Sequence, residues 1–508
     1  MRPRSDAPRQ GPTVSTTLSV LAAELPGAQL RGDDVELRDA AHDSRQAGPE
    51  VLFCAVPGAT TDGHDHAPAA VAAGSPALLV ERWLDLEVPQ LLVPSVRAAM
   101  GPAAARVHDV PSRALTVVGI TGTNGKTTTT YLLESAFGAA GWGTGTIGTV
   151  ETRIHGEAQP GVRTTPEGPD LQRLLARMRD RGVDAVGMEV SSHGLAYRRV
   201  DGTRFAVAVF TNLTQDHLDF HGSMEAYFDA KARLFTPELA DRGIVCVDDD
   251  WGRRLAAQAT IPVTTFGRGE DADRRIAEVA VELAGATAVV TGPDGDTEVR
   301  TRLVGEHNVT NAVGAYLAAV AAGIGADTAA AGVAACAGVP GRLERVDRGQ
   351  PFAVLVDYAH TPDALEHVVR STRPLLEPGG RLHLVIGAGG DRDRGKRPLM
   401  GAVAAQADVA VLTSDNPRSE DPQAILDAMR VGADEAVAGG APGRVVVEVD
   451  RRRAIALALE GARAGDVVVI AGKGHETGQT FADRTVPFDD RLVAAELLGA
   501  SDVAEVAR

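Results

Sequence analysis

The segment Gly122-Thr123-Asn124-Gly125-Lys126-Thr127-Thr128-Thr129 constrains this chain more than any other. It follows the apolar run Leu115–Ile120 and precedes a stretch in which Leu132, Leu133, Ala136, Phe137 and Ala140 share one helical face. Strand, glycine-rich turn and helix, in that order, make a phosphate loop. The glycines let backbone N–H groups close around phosphate oxygens, and the helix N-terminus adds partial positive charge. Lys126 can reach terminal phosphates, and the Thr127 hydroxyl can ligate magnesium. Ile120 stands where the plain G-x-x-x-x-G-K-[ST] pattern has its first glycine, so the loop is a variant. A glycine-rich turn with a surface lysine is the competing reading, and the threonines and both flanks weigh against it.

The rest of the chain fits an α/β fold. Its 508 residues allow about three domains, each with its own core. Residues 1–14 are polar and proline-rich and read as disordered. A first unit, 15–112, holds the strand-like runs Val51–Val56 and Ala77–Val80. A second, 113–340, alternates helical patterns with the apolar runs Ala185–Val190, Ala206–Phe210 and Gly243–Val247, which implies a parallel sheet covered on both faces. Its Ala-rich tract Thr328–Val339 reads as a helix. A third, 341–508, has strand candidates at Ala353–Val356, Leu382–Ile386, Val409–Leu412, Val445–Val449 and Val467–Ala471. Three of these run into Asp357-Tyr358-Ala359-His360, Gly387-Ala388-Gly389-Gly390-Asp391 and Gly472-Lys473-Gly474-His475-Glu476. Ligands of open α/β sheets bind beyond the carboxyl ends of the strands, so these three ends are expected to converge on one site.

A net charge of −17 argues against nucleic acid as a partner. Basic residues bunch locally, as in Arg392–Arg397, which suggests a pocket for anions. Cys54, Cys246 and Cys336 follow no metal spacing and read as buried thiols of a reducing compartment. The N-terminus has no apolar core of a secretory signal, and no uncharged apolar stretch reaches the ~18 residues of a membrane span. A cytoplasmic protein, and a monomer, is expected.

Several residues offer chemistry with more than one reading. Glu189 ends a strand downstream of the phosphate loop, where it can hold magnesium directly or through water, or be a solvated strand-end acid. His217, in Asp216-His217-Leu218-Asp219, is a similar candidate. In Ser223–Thr236 the residues Met224, Tyr227, Phe228, Lys231, Leu234 and Phe235 fall on one helical face. A lysine among large apolar groups either snorkels, pairs with an acid, or is altered chemically; pattern alone favours snorkelling. A neutral amine can also add carbon dioxide and become a carbamate, an oxygen ligand suited to magnesium. Asn308 and Asn311, at the start of an Ala-rich helix, suit either a base edge or ordinary capping. Arg342 follows the break near Gly338–Gly341 and could swing onto a transferring phosphate. In Asp415-Asn416-Pro417-Arg418 the proline fixes the backbone, so Arg418 is presented rigidly for a carboxylate, with Arg392 nearby in the same role; a solvated turn is the alternative.

Together with Asp43-Ser44-Arg45, Met188–Gly194, Asp357–Asp363, Gly390–Asp393 and Gly472–Glu476, these motifs resemble the Mur ligases of bacterial cell-wall synthesis. The resemblance runs from about Asp43 to the C-terminus and is nearest to members that add meso-diaminopimelate. It implies a central P-loop ATPase-like parallel sheet, a first domain for the UDP end of the substrate and a C-terminal Rossmann-like domain for the incoming amino acid. It implies ATP, magnesium, and the substrates UDP-N-acetylmuramoyl-L-alanyl-D-glutamate and meso-diaminopimelate.

By position, Ser44, Ala59, Thr60 and Thr61 would contact the uridine nucleotide. Thr164, Thr165, Ser191, Tyr197 and Arg199 would hold the muramoyl-dipeptide. ATP would meet Gly122 to Thr128, Asn308, Arg342, Asp357 and His360, with Thr127, Glu189, His217 and a carbamate on Lys231 as metal ligands. Diaminopimelate would meet Arg392, Asp415, Asn416, Pro417, Arg418, Gly472 and Glu476. Tyr197, Arg163 and His42 depart from residues some relatives carry. A lysine-adding ligase, a folylpolyglutamate-synthetase-like ligase and a nucleotide-driven switch without ligase chemistry are the rival readings.

Overall fold

The computed structural model describes residues 16–58, 60–159 and 163–505. The expected disorder of 1–14 and the site residue Ala59 lie outside them. By compactness the chain divides into two units. One runs to Ala277 and includes Val289–Val299 and Thr310–Ala335; the other comprises Glu278–Ala288, Arg300–Val309 and Cys336–Arg508.

The first unit opens with a five-stranded sheet: β1 (Gln29–Arg31), β2 (Asp39–Ala41), β3 (Val51–Cys54), β4 (Ala77–Val80) and β5 (Gln90–Leu92), in the order β1-β5-β4-β3-β2. Strands β2 to β5 run parallel and β1 antiparallel. Helix Val96–Val107 buries Val96, Met100, Ala103 and Ala104 against this sheet's core. At Gly101 the helix meets the backbone of Asp201, and a Cβ there would collide with its carbonyl. Glycine permits this approach, which binds the first sheet to the one that follows.

The phosphate-loop strand is β6 (Thr116–Thr121). Around it lie β7 (Thr144–Ile147), β8 (Thr152–Ile154), β9 (Glu157–Gln159), β10 (Ala185–Glu189), β11 (Val207–Phe210), β12 (Gly243–Cys246), β13 (Val263–Gly267), β14 (Arg274–Glu282), β15 (Gly285–Thr291) and β16 (Thr297–Thr301). The sheet order is β9-β8-β7-β10-β6-β11-β12-β13-β14-β15-β16. From β7 through β13 the pairs are parallel, as a crossover alternation requires. Sequence reasoning missed the antiparallel edge β8–β9. Its turn is His155-Gly156, both at positive φ, the geometry that matches strand twist in a two-residue hairpin. The Ala-rich helix spans Ala326–Ala335, shifted from the expected 328–339.

The second unit carries β17 (Glu344–Arg345), β18 (Ala353–Asp357), β19 (Leu382–Ile386), β20 (Val409–Leu412), β21 (Arg444–Val447) and β22 (Val467–Ala471), ordered β17-β18-β22-β19-β20-β21. All but β17 are parallel. Strands β18, β22 and β19 are therefore neighbours, and the three motif-bearing ends share one edge of the sheet. A short hairpin, β23 (Gly478–Thr480) and β24 (Thr485–Pro487), follows β22. Among the described residues no helix is long and apolar enough to cross a membrane.

Arg451 and Asp490 lie fully buried beneath that edge, joined at 2.8 and 2.7 Å. The guanidinium also donates to the carbonyls of Ala471 (2.8 Å) and Ser414 (3.4 Å), so it ties the ends of β22 and β20 together. Truncating one partner strands the other charge in the interior. Asp490→Ala is expected to lower the unfolding free energy by about 3–5 kcal/mol, and Arg451→Met/Asp490→Leu together by less. Urea denaturation of the variants measures both.

Candidate active site

Two loop glycines build the phosphate cradle. Gly122 (φ 151°) and Gly125 (φ 87°) take conformations open to glycine, and a Cβ on them would strike Thr211 Oγ1 and Asn311 Oδ1 respectively. Gly125 caps helix Lys126–Ala139, whose first-turn N–H groups face the loop. Lys126 Nζ lies over the loop, 2.9 Å from Gly122 O and 2.7 Å from Thr123 O. Thr123 Oγ1 bonds Thr214 O and the Tyr227 hydroxyl, Asn124 N donates to Asn212 Oδ1, and Thr128 is buried in the first turn.

Glu189, at the carboxyl end of β10, is 1% exposed. Its Oε1 accepts from Thr127 Oγ1 (2.9 Å) and Thr149 N (2.8 Å), and its Oε2 from Thr149 Oγ1 (3.0 Å). Register explains the meeting: Glu189 pairs with Ile120, so both strands end at the same level. Hard oxygen donors of this kind suit magnesium. Among the described residues no group of three or more His, Cys, Asp or Glu forms a cation site by itself. A cation at Thr127 and Glu189 would therefore need further oxygens, such as those of a nucleotide phosphate. His217 sits in a left-handed backbone position with its ring edge-on to His193 at 4.8 Å, and burial lowers its pKa.

Lys231 corrects the snorkelling expectation. It is 1% exposed on helix Met224–Ala232, its Nζ 2.7 Å from Gly122 O and 4.6 Å from the Tyr227 ring. Burial, helped by Lys126, holds its pKa well below that of an ordinary lysine. The helix direction aims the amine at the loop, so the chain cannot reach water.

A second cluster lies on the same side of β10. Thr165 Oγ1 donates to Glu189 O and Ser191 Oγ, Ser191 Oγ caps Gly194 N, and Thr164 bonds Thr149. Arg199 binds Glu167 at 2.9 Å; Arg97 (2.6 Å) and Arg163 (3.3 Å) grip the same carboxylate. The guanidinium groups of Arg97 and Arg199 both lie over the Tyr197 ring, at 5.6 and 5.4 Å from its centroid. Sequence reasoning missed Arg97 and Glu167. Arg97 comes from the helix on the first sheet, and no local spacing could announce it. Ser44 opens a short 3₁₀ turn capped by Asp43; Thr60 and Thr61 are exposed, and Thr61 O accepts from Gly58 N at 2.9 Å. His42 Nδ1 is 3.9 Å from Asp170.

In the second unit, Asp357 accepts from Leu343 N and Ala359 N, each at 2.8 Å. Burial pushes its carboxyl above the ordinary range, although Arg342 and these donors oppose. Arg342 lies over the Tyr358 ring at 4.8 Å, between Gly341 and Leu343 at positive φ. His360 bonds Tyr358 O, and Asn308 Nδ2 donates to Val304 O. Beyond β20, Arg418 (φ 52°) donates to Gly390 O at 2.7 Å. A Cβ on Gly390 would strike Pro417 O, and one on Gly389 would lie near both Arg418 and Arg392. The structure thus sets Arg392, Pro417 and Arg418 around one loop. Asp415, Asn416 and Glu476 meet beside it, near the turn at Gly472 (φ 110°), around the buried Lys473.

The His475 ring packs at 4.9 Å from Tyr358, tilted by 39°, with its Nδ1 buried and without a hydrogen-bond partner among the described residues. Burial, then Arg342, Arg491 and His360, pushes its pKa down to about 4. The unfolded chain, with an ordinary histidine pKa of about 6.5, binds the proton first as pH falls. Stability from this residue is therefore full above pH ~6.5 and lost progressively towards pH 4. His475→Gln is expected to flatten that limb of the pH–stability curve in urea titrations.

Comparison with known proteins places the chain in a family. Three family models match: the Mur ligase family catalytic domain at residues 40–118, the Mur ligase middle domain at 120–319, and the Mur ligase glutamate ligase domain at 341–474. The UDP-N-acetylmuramoyl-L-alanyl-D-glutamate–2,6-diaminopimelate ligase of Streptomyces coelicolor is 49% identical over 97% of this chain and 98% of its own. A solved structure of a ligase of the same name aligns with TM-score 0.69 and 34% identity, covering 92% of this chain and 96% of that one. A Mycobacterium tuberculosis folylpolyglutamate synthase structure aligns with TM-score 0.60 over 74% of this chain and 92% of its own; at 22% identity it speaks to fold alone.

Proposed function

The chain belongs to the Mur ligase family, and we propose from this premise that it adds meso-2,6-diaminopimelate to UDP-N-acetylmuramoyl-L-alanyl-D-glutamate. The reaction is an ATP-dependent, ADP-forming amide ligation of peptidoglycan precursor synthesis. The observation that carries the specificity is the Asp415–Arg418 loop, which holds Arg418 beside Arg392 and next to a carboxylate pair. Diaminopimelate has a second carboxylate where lysine has none, and a guanidinium grips a carboxylate with parallel hydrogen bonds.

A free carboxylate does not react with an amine because oxide is a poor leaving group. The D-glutamate carboxylate therefore attacks the γ-phosphorus of ATP and expels ADP. The unprotonated amine of diaminopimelate attacks the acyl phosphate; the amide bond forms, and phosphate leaves. Two anions must meet in the first step, and Lys126 and Arg342 neutralise charge there. We assign ATP to the loop Gly122–Thr128 with Asn308, Asp357 and His360. The muramoyl-dipeptide goes to Thr164, Thr165, Ser191, Tyr197 and Arg199, and the uridine nucleotide to Ser44, Thr60 and Thr61. Three domains, 15–112, 113–340 and 341–508, divide these tasks. Thr127, Glu189 and His217 would hold magnesium, which supplies charge neutralisation at phosphate oxygens. A UDP-linked precursor and ATP are cytoplasmic metabolites, which supports a cytoplasmic setting. The working form we propose is a monomer.

Lys231 is assigned as a carbamate, supported by its burial and depressed pKa: the neutral amine that adds carbon dioxide is more available here than on an ordinary lysine. Activity is expected to fall in carbon-dioxide-free buffer and to return with bicarbonate. Lys231→Ala is expected to lose activity about a hundredfold or more, the usual scale for removing a charge-stabilising group, without bicarbonate rescue. Carbon-13 bicarbonate NMR detects the adduct directly.

Phosphate release with ATP, magnesium and the UDP-linked dipeptide is expected to depend on meso-diaminopimelate and to be weak with L-lysine. Arg418→Ala is expected to raise KM for diaminopimelate about 10- to 100-fold, the value of a hydrogen-bonded charge, and to leave lysine use unchanged. Release with lysine alone would move the chain to the sister specificity.

A further inference from the structure

We infer that Lys473 is a positioning residue of the amino-acid site, a buried ammonium that orients Asn416 and Glu476 and offsets one of the two carboxylates there. The inference rests on the diaminopimelate reading above. Lys473 follows β22 and is 0% exposed. Its Nζ lies 3.0 Å from Asn416 Oδ1, 3.2 Å from Glu476 Oε2 and 3.4 Å from Asp415 Oδ1. A lysine in the interior needs such partners, because an isolated buried ammonium is strongly disfavoured. All three partners belong to the group assigned to the incoming amino acid, whereas Lys473 is too deep to touch a ligand.

The hydrogen bonds fix an orientation. Asn416 Oδ1 accepts from Lys473 and from Thr480 N (3.0 Å), so the amide cannot flip without losing two donors. Its Nδ2 then faces Glu476 Oε2 at 2.8 Å. Glu476 Oε2 accepts from both Asn416 and Lys473, which leaves Oε1 to receive a substrate ammonium. The side chain of Glu476 is 33% exposed, so the carboxylate faces outward with its cation behind it. Asp415 is likewise held from behind, its carbonyl accepting from Gln479 Nε2 at 2.8 Å.

Asp415, Glu476 and Lys473 sum to one negative charge, which complements one ammonium of a zwitterionic ligand; Arg418 and Arg392 complement its carboxylate. Without Lys473, two carboxylates face each other and Asn416 loses a donor. Arg451, another buried cation of this edge, is already engaged by Asp490 and cannot replace it.

The test is Lys473→Met, which keeps most of the packing and removes the charge. KM for diaminopimelate is expected to rise about tenfold or more, while KM for ATP and for the UDP-linked dipeptide stay within about twofold. Equal changes in all three constants, or a fall in kcat alone, would overturn the positioning role. If the Met variant does not fold, Lys473→Arg, which retains the cation, is expected to fold and to raise only the diaminopimelate KM, by several-fold. Arg behaviour identical to the parent, or a uniform loss, would overturn the proposal. Wild-type protein in the same assay separates the two readings. No diaminopimelate-dependent turnover there would remove the proposed function itself, whereas a normal wild type with an unselective Lys473→Met removes only the role of Lys473.

Discussion

Charge held out of water at the carboxyl edges of parallel strands governs both units. A parallel sheet buried on both faces leaves its strand ends as the places where polar chemistry can begin. Here those ends carry Glu189, Asp357 and, on the loop after β22, Lys473, all buried. None can be left alone there, because an unpaired interior charge is disfavoured by several kcal/mol. Each therefore recruits neighbours, and the neighbours become the site. Glu189 fixes Thr127 and Thr149; Asp357 fixes the backbone at Leu343 and Ala359; Lys473 gathers Asp415, Asn416 and Glu476.

Three lysines near phosphate or carboxylate chemistry show how depth sorts identical side chains into different tasks. Lys126 lies partly buried over the loop carbonyls, so a phosphate can draw it away. Lys231 is enclosed with a carbonyl and an aromatic face, and its proton is loosely held. Lys473 is as deep but sits against two carboxylates, Asp415 at 3.4 Å and Glu476 at 3.2 Å. The sequence alone presents all three as lysines in glycine-rich or helical surroundings; only the partners distinguish them.

Legibility followed locality. The phosphate loop, its strand and its helix could be read because all their determinants are adjacent in the chain. The convergence of the three C-terminal strand ends was legible for a related reason: each apolar run passes directly into polar or glycine residues. Lys231 was misread by pattern because periodicity reports which face a residue shares, not how far its amine can travel. The Glu167 cluster was illegible because Arg97, Arg163 and Arg199 come from separate segments, one of them on the helix of the first sheet. The His155-Gly156 hairpin was overlooked, although a residue tolerant of positive φ before glycine is a local signal.

Under the proposed function, the loop Asp415–Arg418 is a short motif that discriminates between ligands. Pro417 restricts its own backbone, and Arg418 is held at positive φ by a ladder bond from its N–H to Thr480 O. Such a conformation is unfavourable for a bulky residue and persists only where surroundings over-determine it. They do so here: Gly390 N bonds Asn416 O, the Arg418 guanidinium bonds Gly390 O, and Gly390 has no side chain to obstruct Pro417. The arginine is thus aimed before any ligand arrives. A site built this way orders few rotamers on binding, so little of the gain from gripping a second carboxylate is lost to entropy. On the proposed function, discrimination against a ligand lacking that carboxylate would follow from leaving a preorganised guanidinium without its acceptor, a larger penalty than a flexible surface arginine would suffer.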